Sequence, residues 1–194
     1  MIMDVQLSCT CGAVKGVARN LTPQNGSRVV CCCDDCQQFA NHLQRGAEVL
    51  DEFGGTEIYQ TSQSQVNIET GAEHIQCLRL KPKGLYRWYA SCCNTPMGNT
   101  MNAGMPFFGI IHGFIADETN RDEALGKILA YVQTQHALGT PNYPTSSKKF
   151  PLGITLRIMR KILGWKIRGL HKPSAFFTDS GRAIVKPIIV NESG

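Results

Sequence analysis

Four cysteines fall within six residues of this chain, Cys31, Cys32, Cys33 and Cys36, in the run V-C-C-C-D-D-C. Alternate residues of an extended strand share a face, so Cys31 and Cys33 point together while Cys32 points away. Cys36 follows Cys33 by the C-x-x-C step, a turn that brings a second thiolate back onto the first one's metal. Three converging thiolates with the fourth position empty is the ligand count of a catalytic zinc, whereas a structural zinc is closed by four ligands. An open zinc acts as a Lewis acid, holds a thiolate substrate, or lowers the pKa of a bound water. The competing reading is a structural knuckle closed by a fourth cysteine, for which Cys32 is the neighbour on the wrong face.

The other cysteines read against this cluster. Cys9-Thr10-Cys11 puts two thiolates on one face, and a closed site there needs two more. Cys92 and Cys93 are the candidates, with Cys77 in reserve. Cys77 reads more readily as a small core hydrophobe than as a ligand, and Cys92 reads either way. His42, His74, His112, His136 and His171 show no ligand spacing and read as ordinary surface or core histidines. Asp34 and Asp35 flank the cluster and could serve as acid or base, although capping the helix that follows suits them better.

The elements that must position these residues are mostly short strands. Val5 and Leu7 alternate with polar neighbours, and Ala13, Val14 and Val17 continue the pattern after C-T-C-G, where Gly12 permits a tight knuckle. Leu21–Ser27 reads as a turn, Arg28–Cys33 as a strand, and Asp34–Leu43 as a short helix. Short strands are expected over Val49–Gln76, with Ile58, Val66 and Ile68 inward. A hairpin of His74–Leu80 and Leu85–Ala90 turns on Lys81-Pro82-Lys83-Gly84, and Pro106–Phe114 is a last apolar strand. Many short strands without helical crossovers predict an antiparallel core. Helical spacing then takes over. Leu125, Ile128, Leu129 and Val132 predict a helix over Asp122–Gln135, capped by Thr119 or Asn120. Gly139–Pro151 is a linker. Ile154–Leu170 is a second helix, with Ile154, Ile158, Ile162 and Trp165 on one side and Arg157, Arg160, Lys161 and Arg168 placed opposite.

A length of 194 residues suits one domain with an appendage. No apolar run approaches membrane-spanning length and Met1–Val14 lacks the marks of a signal peptide, so a soluble, cytoplasmic protein is expected. In that compartment nine cysteines, an odd number, read as metal ligands or thiols rather than a disulfide framework. The net charge of +5 is unevenly spread: from Ala124 to Thr178 there is no Asp or Glu but nine Lys and Arg. A basic helix in that stretch could meet nucleic acid or an anionic membrane. More often such a helix lays its apolar side on its own domain.

The three blocks L-S-C-T-C-G-A-V (Leu7–Val14), V-V-C-C-C-D-D-C (Val29–Cys36) and R-W-Y-A-S-C-C-N-T-P (Arg87–Pro96) resemble the glutathione-dependent formaldehyde-activating enzyme family, which includes centromere protein V. The resemblance covers roughly Gln6 to Phe114. It implies a β-tent, two layers of antiparallel sheet, with two zinc ions. Carried over, Cys9, Cys11 and Cys93 match a structural site, with Cys92 as substitute for a family cysteine where Ala90 stands. Cys31, Cys33 and Cys36 match the site proposed to bind glutathione thiolate. A basic residue that usually follows the third cysteine of that cluster is Gln37 here.

The expectation is therefore a mainly β, α+β protein: a zinc-binding β-tent over residues 1–118 and a helical, basic extension over 119–194. The expected function is that of a zinc-dependent carbon–sulfur lyase acting on a thiol adduct such as that of glutathione. A non-enzymatic scaffold whose basic helix binds nucleic acid is the alternative, and a thiol redox protein using Cys32 or Cys92 is a third.

Overall fold

Alternation of Val5 and Leu7 with polar residues makes Met3–Ser8 the first strand (β1), with Val5 and Leu7 buried and Asp4 and Gln6 exposed. The computed structural model describes residues 2–116 and 121–190. Lys15–Leu21 (β2) pairs antiparallel with β1 across the C-T-C-G turn, and Ser27–Cys31 (β3) follows, buried along its whole length. Two helices come next, Asp34–His42 (α1) and Gly46–Val49 (α2). The chain then lays down Thr56–Thr61 (β4), Val66–Thr70 (β5), Ile75–Arg79 (β6), Tyr86–Ala90 (β7), Thr95–Thr100 (β8) and Phe108–Ile111 (β9). The final third supplies Arg121–Leu125 (α3), Ala130–Val132 (β10), Ser146–Ser147 (β11), Leu152–Ile167 (α4) and Ile188–Ile189 (β12).

These strands form two sheets. One has the order β1-β2-β5, and the other runs β11-β10-β3-β4-β9-β8-β7-β6-β12. The centre of the large sheet is antiparallel, as expected from strands joined without helical crossovers. Its margins are parallel: β10 lies beside β3 and β12 beside β6. The fold is thus mainly β with a few helices. Residues after 120 enter it on both edges, and Phe176 and Phe177 reach its core. The Phe176 ring stacks on Phe108 at 4.5 Å and lies 5.0 Å from Trp88, all three fully buried.

Three expectations need correction. The helix predicted over Asp122–Gln135 is only the short α3. Gly126, at φ +76, leaves the helical region directly after Leu125, and its carbonyl accepts from the buried Arg28 guanidinium at 2.9 Å. From there the chain is extended. Leu129 N–H donates to the Arg28 carbonyl, and Ala130, Tyr131 and Val132 run in register with Val29, Val30 and Cys31. An open sheet edge outweighed helical spacing. Thr119 and Asn120, expected to cap that helix, lie outside the described residues.

The second correction concerns Asp34 and Asp35. Cys33 takes the N-cap position of α1, and the two aspartates occupy its first turn without capping. There they face the positive end of the helix dipole. The third concerns α4, which covers Leu152–Ile167 rather than Ile154–Leu170. Its Ile154, Ile158, Ile162 and Trp165 do turn inward. Of the four basic residues only Arg160 stands opposite them; Arg157, Lys161 and Arg168 lie to one side, and a second apolar stripe occupies most of the outward face.

Candidate metal centres

Two knuckles bring four cysteines together. In the first, Gly12 at φ +75 follows Cys11; the Gly12 N–H donates to the Cys9 carbonyl and the Val14 N–H to the Cys9 sulfur. In the second, residues 91–94 form a turn, the Cys93 N–H donating to the Ala90 carbonyl at 3.3 Å and Asn94 at φ 55, so the two adjacent cysteines are not fixed on opposite faces of a strand. The sulfurs of Cys9, Cys11, Cys92 and Cys93 all lie within 4.8 Å of one another. The Cys9–Cys11, Cys9–Cys92 and Cys92–Cys93 pairs are 3.6, 3.8 and 3.9 Å apart, far beyond the ~2 Å of a disulfide. Thr95 ties the loops together, its hydroxyl meeting the Thr10 N–H at 3.0 Å and the Cys93 sulfur at 3.0 Å. Burial raises the Cys93 thiol, but the Thr95 hydroxyl and backbone donors outweigh it and bring the group to about 6. The pKa values of Cys9 and Cys92 are pushed up, first by desolvation. Cys77 is no part of this set: it sits fully buried in the core, its thiol directed at the Leu78 carbonyl.

The second cluster holds Cys31, Cys33 and Cys36, with sulfurs mutually within 4.8 Å. Cys31 ends β3, and the first turn of α1 returns Cys36, whose N–H donates to the Cys33 carbonyl at 3.0 Å. Cys32 points elsewhere, its sulfur 3.6 Å from the Tyr143 hydroxyl. Without a cation between them three thiols cannot all ionise. Hydrogen bonds from Cys31 and Cys36 hold Cys33 far below the ordinary thiol range. Cys31 is pushed up by its bond to Cys33. Cys36 accepts from Cys31, yet donation to Cys33 and burial push it up to about 12. A metal ion relieves this competition by taking the place of the shared protons.

Charged side chains frame the three-sulfur cluster. Arg87 on β7 is buried, and its positive charge favours the ionised forms of Cys33 and Cys36. It lies 3.5 Å from the Asp35 carboxylate and over the Phe39 ring, while its Nη1 has no hydrogen-bond partner among the described residues. Asp34, one residue after Cys33, pairs with His136 Nδ1 at 2.9 Å. Gln37 spends its amide on the carbonyls of Cys32 and His136, both at 2.8 Å, and so braces the loop instead of facing a ligand.

Both three-or-more-ligand groups among the described residues consist of cysteine alone, and none of the five histidines joins them. Arg87 and His136 are the neighbours that sequence spacing missed. An arginine inside the apolar run Y-R-W-Y-A was the available signal for the first, since a buried charge demands a partner. His136 lies 99 residues from Gln37 in separation, and only the β10–β3 pairing brings it near.

No curated protein matches the chain. A crystal structure of a Rhodobacter sphaeroides protein aligns with 65% of this chain and 97% of its own, at 17% identity and a TM-score of 0.45. Residues 1–187 match a family described as being of unknown function, DUF6151. The match takes in both cysteine knuckles and nearly the whole chain, and the chain belongs to DUF6151.

Proposed function

We propose that the protein is a zinc-dependent enzyme of the carbon–sulfur lyase type, acting on the adduct of a small thiol with a small carbonyl compound. The observation that carries this reading is the Cys31/Cys33/Cys36 cluster, three converging sulfurs with Cys32 turned away to Tyr143. The four-sulfur group fits a structural ion. Zn–S bonds of ~2.3 Å in a tetrahedron set sulfurs about 3.8 Å apart, close to the 3.6, 3.8 and 3.9 Å of three pairs, while Cys11 and Cys92 are nearer at 3.3 Å.

A zinc ion held by Cys31, Cys33 and Cys36 would supply a Lewis-acidic position at which a substrate sulfur is stabilised as thiolate. The chain provides the rest. Arg87 offsets the negative charge that three thiolates leave over after a divalent cation is bound. Asp34 and His136 form an exchangeable pair that can accept the thiol proton and return it. In the forming direction the thiol gives its proton to Asp34, its sulfur bonds to the carbonyl carbon, and the proton returns to the resulting alkoxide oxygen. Cleavage is the reverse. Because the Gln37 amide is already committed, a substrate carboxylate finds no basic partner at that position, and the substrate class is a small thiol adduct of which glutathione's is one example.

The resemblance of the three cysteine blocks to the formaldehyde-activating family supports the same chemistry. A non-enzymatic reading rests on α4, which carries Arg157, Arg160, Lys161 and Lys166 and no acidic residue.

The test is magnetic-resonance exchange of isotopically labelled formaldehyde with glutathione, cysteine or coenzyme A, in the presence of zinc-loaded protein. Accelerated exchange that Cys36→Ala abolishes and Cys32→Ala preserves is expected. Exchange no faster than in buffer with any of the three thiols would remove the enzyme reading.

A further inference from the structure

Helix α4 has two apolar sides. At about 100° per residue, Ile154, Ile158 and Trp165 share the side that rests on the domain. Half a turn away, Leu152, Leu156, Met159, Leu163 and Ile167 fall within roughly 80° of arc. These five are exposed by 81, 62, 55, 59 and 78%. Single exposed apolar residues need no explanation, but five in line along a helix about 24 Å long make a continuous stripe. Inward contacts hold the helix in this orientation. Trp165 and Ile162 are buried, Lys161 donates to the Gly26 carbonyl and the Ser27 hydroxyl, and Lys166 donates to the Gly104 carbonyl.

The charges beside the stripe select its partner. Arg160 and Arg157 flank it on one side and Lys166 on the other, and a shallow groove on the arginine side is lined by Leu156, Arg157, Arg160 and Lys161. From Ala124 to Thr178 no acidic residue offsets them. A second copy of this chain, docked helix to helix, would bring two sets of these cations together without a counter-charge. A nucleic acid duplex would satisfy the arginines and leave the leucines in water. A surface that is apolar beneath and anionic above satisfies both.

We propose that the outer face of α4 docks on an anionic lipid bilayer, lying in the plane of the headgroups. The Leu152–Ile167 stripe enters the acyl boundary, and Arg157 and Arg160 meet the lipid phosphates. No helix among the described residues is long and apolar enough to cross a membrane, so the attachment is peripheral and reversible. It does not depend on the chemistry of the metal centres.

Co-sedimentation of the full, metal-loaded chain with vesicles tests this. Binding to an equal mixture of phosphatidylcholine and phosphatidylglycerol is expected, with little binding to phosphatidylcholine alone and weakening as salt is added. Leu156→Glu with Leu163→Glu, both exposed positions, should reduce partitioning by about tenfold or more while circular dichroism stays unchanged. Arg157→Gln with Arg160→Gln should reduce it in part. Absence of binding to the anionic vesicles overturns the proposal, as does equal binding by the leucine variant. So do two substitutes for vesicle binding: a concentration-dependent dimer that the leucine substitutions abolish, or duplex binding that they leave intact.

Discussion

The Cys32 sulfur lies 3.6 Å from the Tyr143 hydroxyl, and this contact separates it from the three sulfurs of its immediate neighbours. Tyr143 is itself fixed, its hydroxyl donating to the Asp51 carboxylate at 2.8 Å. The cluster beside them therefore offers three thiolates. Cys32→Ala is expected to leave the metal content of the protein unchanged, whereas Cys31→Ala or Cys36→Ala should remove one ion per chain. Elemental analysis of the purified variants decides this. Loss of an ion from Cys32→Ala would make Cys32 a ligand.

The four-cysteine group ties the turn between β1 and β2 to the turn between β7 and β8, and these belong to different sheets. Metal binding there is folding energy. Cys93→Ser should lower the thermal midpoint by roughly 6–12 °C, the shift for a loss of about 3 kcal/mol in a chain of this length. It should also cost an ion. Calorimetry that shows an unchanged midpoint would remove the structural role.

Arg87 is expected to act through charge. Arg87→Met should weaken metal binding at Cys31, Cys33 and Cys36 by about 10–100-fold, the range for groups that support metal ligands. Arg87→Lys should recover part of the loss. Competition with a chelator measures both. Equal weakening by the two substitutions would point to packing against Phe39 instead.

Metal uptake by the three-cysteine cluster should release protons. Cys31 and Cys36 are pushed up and stay protonated at neutral pH, while Cys33 is held down. Loading one ion then displaces about two protons, and affinity rises with pH. Titration calorimetry in buffers of different ionisation enthalpy counts them. A proton-free uptake would contradict the shared-proton picture.

Lys161 gives a second pH signature, in stability rather than in metal affinity. Burial, with Arg157 adding, lowers its ammonium from 10.5 to about 8. Between those values the unfolded chain binds the additional proton, so stability contributed by this group rises with pH across the window. Below it the penalty is present in full. Lys161→Met should therefore look most favourable relative to wild type near pH 7 and lose that advantage as pH climbs towards 10.5. A pH-independent difference in denaturation midpoint would show that Lys161 is not desolvated.

Much of this was legible in the sequence wherever local pattern and tertiary environment agree. Val5 and Leu7, the Lys81–Gly84 turn and the inward row Ile154, Ile158, Ile162 and Trp165 are such places. Strand β8 was not legible. T-P-M-G-N-T, with its proline and glycine, is not among the expected strands, yet all six residues are buried, and Thr100 satisfies its hydroxyl by accepting from Trp88 Nε1 at 2.9 Å. Strand β10 was read as helix because Leu125, Ile128, Leu129 and Val132 obey helical spacing; the buried Arg28 that ends the helix at Gly126 is 98 residues away in sequence. The same division holds at the metal centres. C-x-C and C-x-x-C steps announce ligands within each block. Which blocks meet, and that Arg87 and His136 stand beside one of them, depends on strand pairing between distant segments.

X-ray absorption on the purified protein, with zinc content measured alongside, is the most direct test of the open three-sulfur site. Two zinc ions per chain are predicted, one with four sulfurs and one with three sulfurs near ~2.3 Å plus a light ligand. A small thiol such as glutathione should replace that light ligand with a fourth sulfur. A single, fully closed four-sulfur zinc that thiol leaves unchanged would contradict the account and make Cys31, Cys33 and Cys36 a structural or thiol feature.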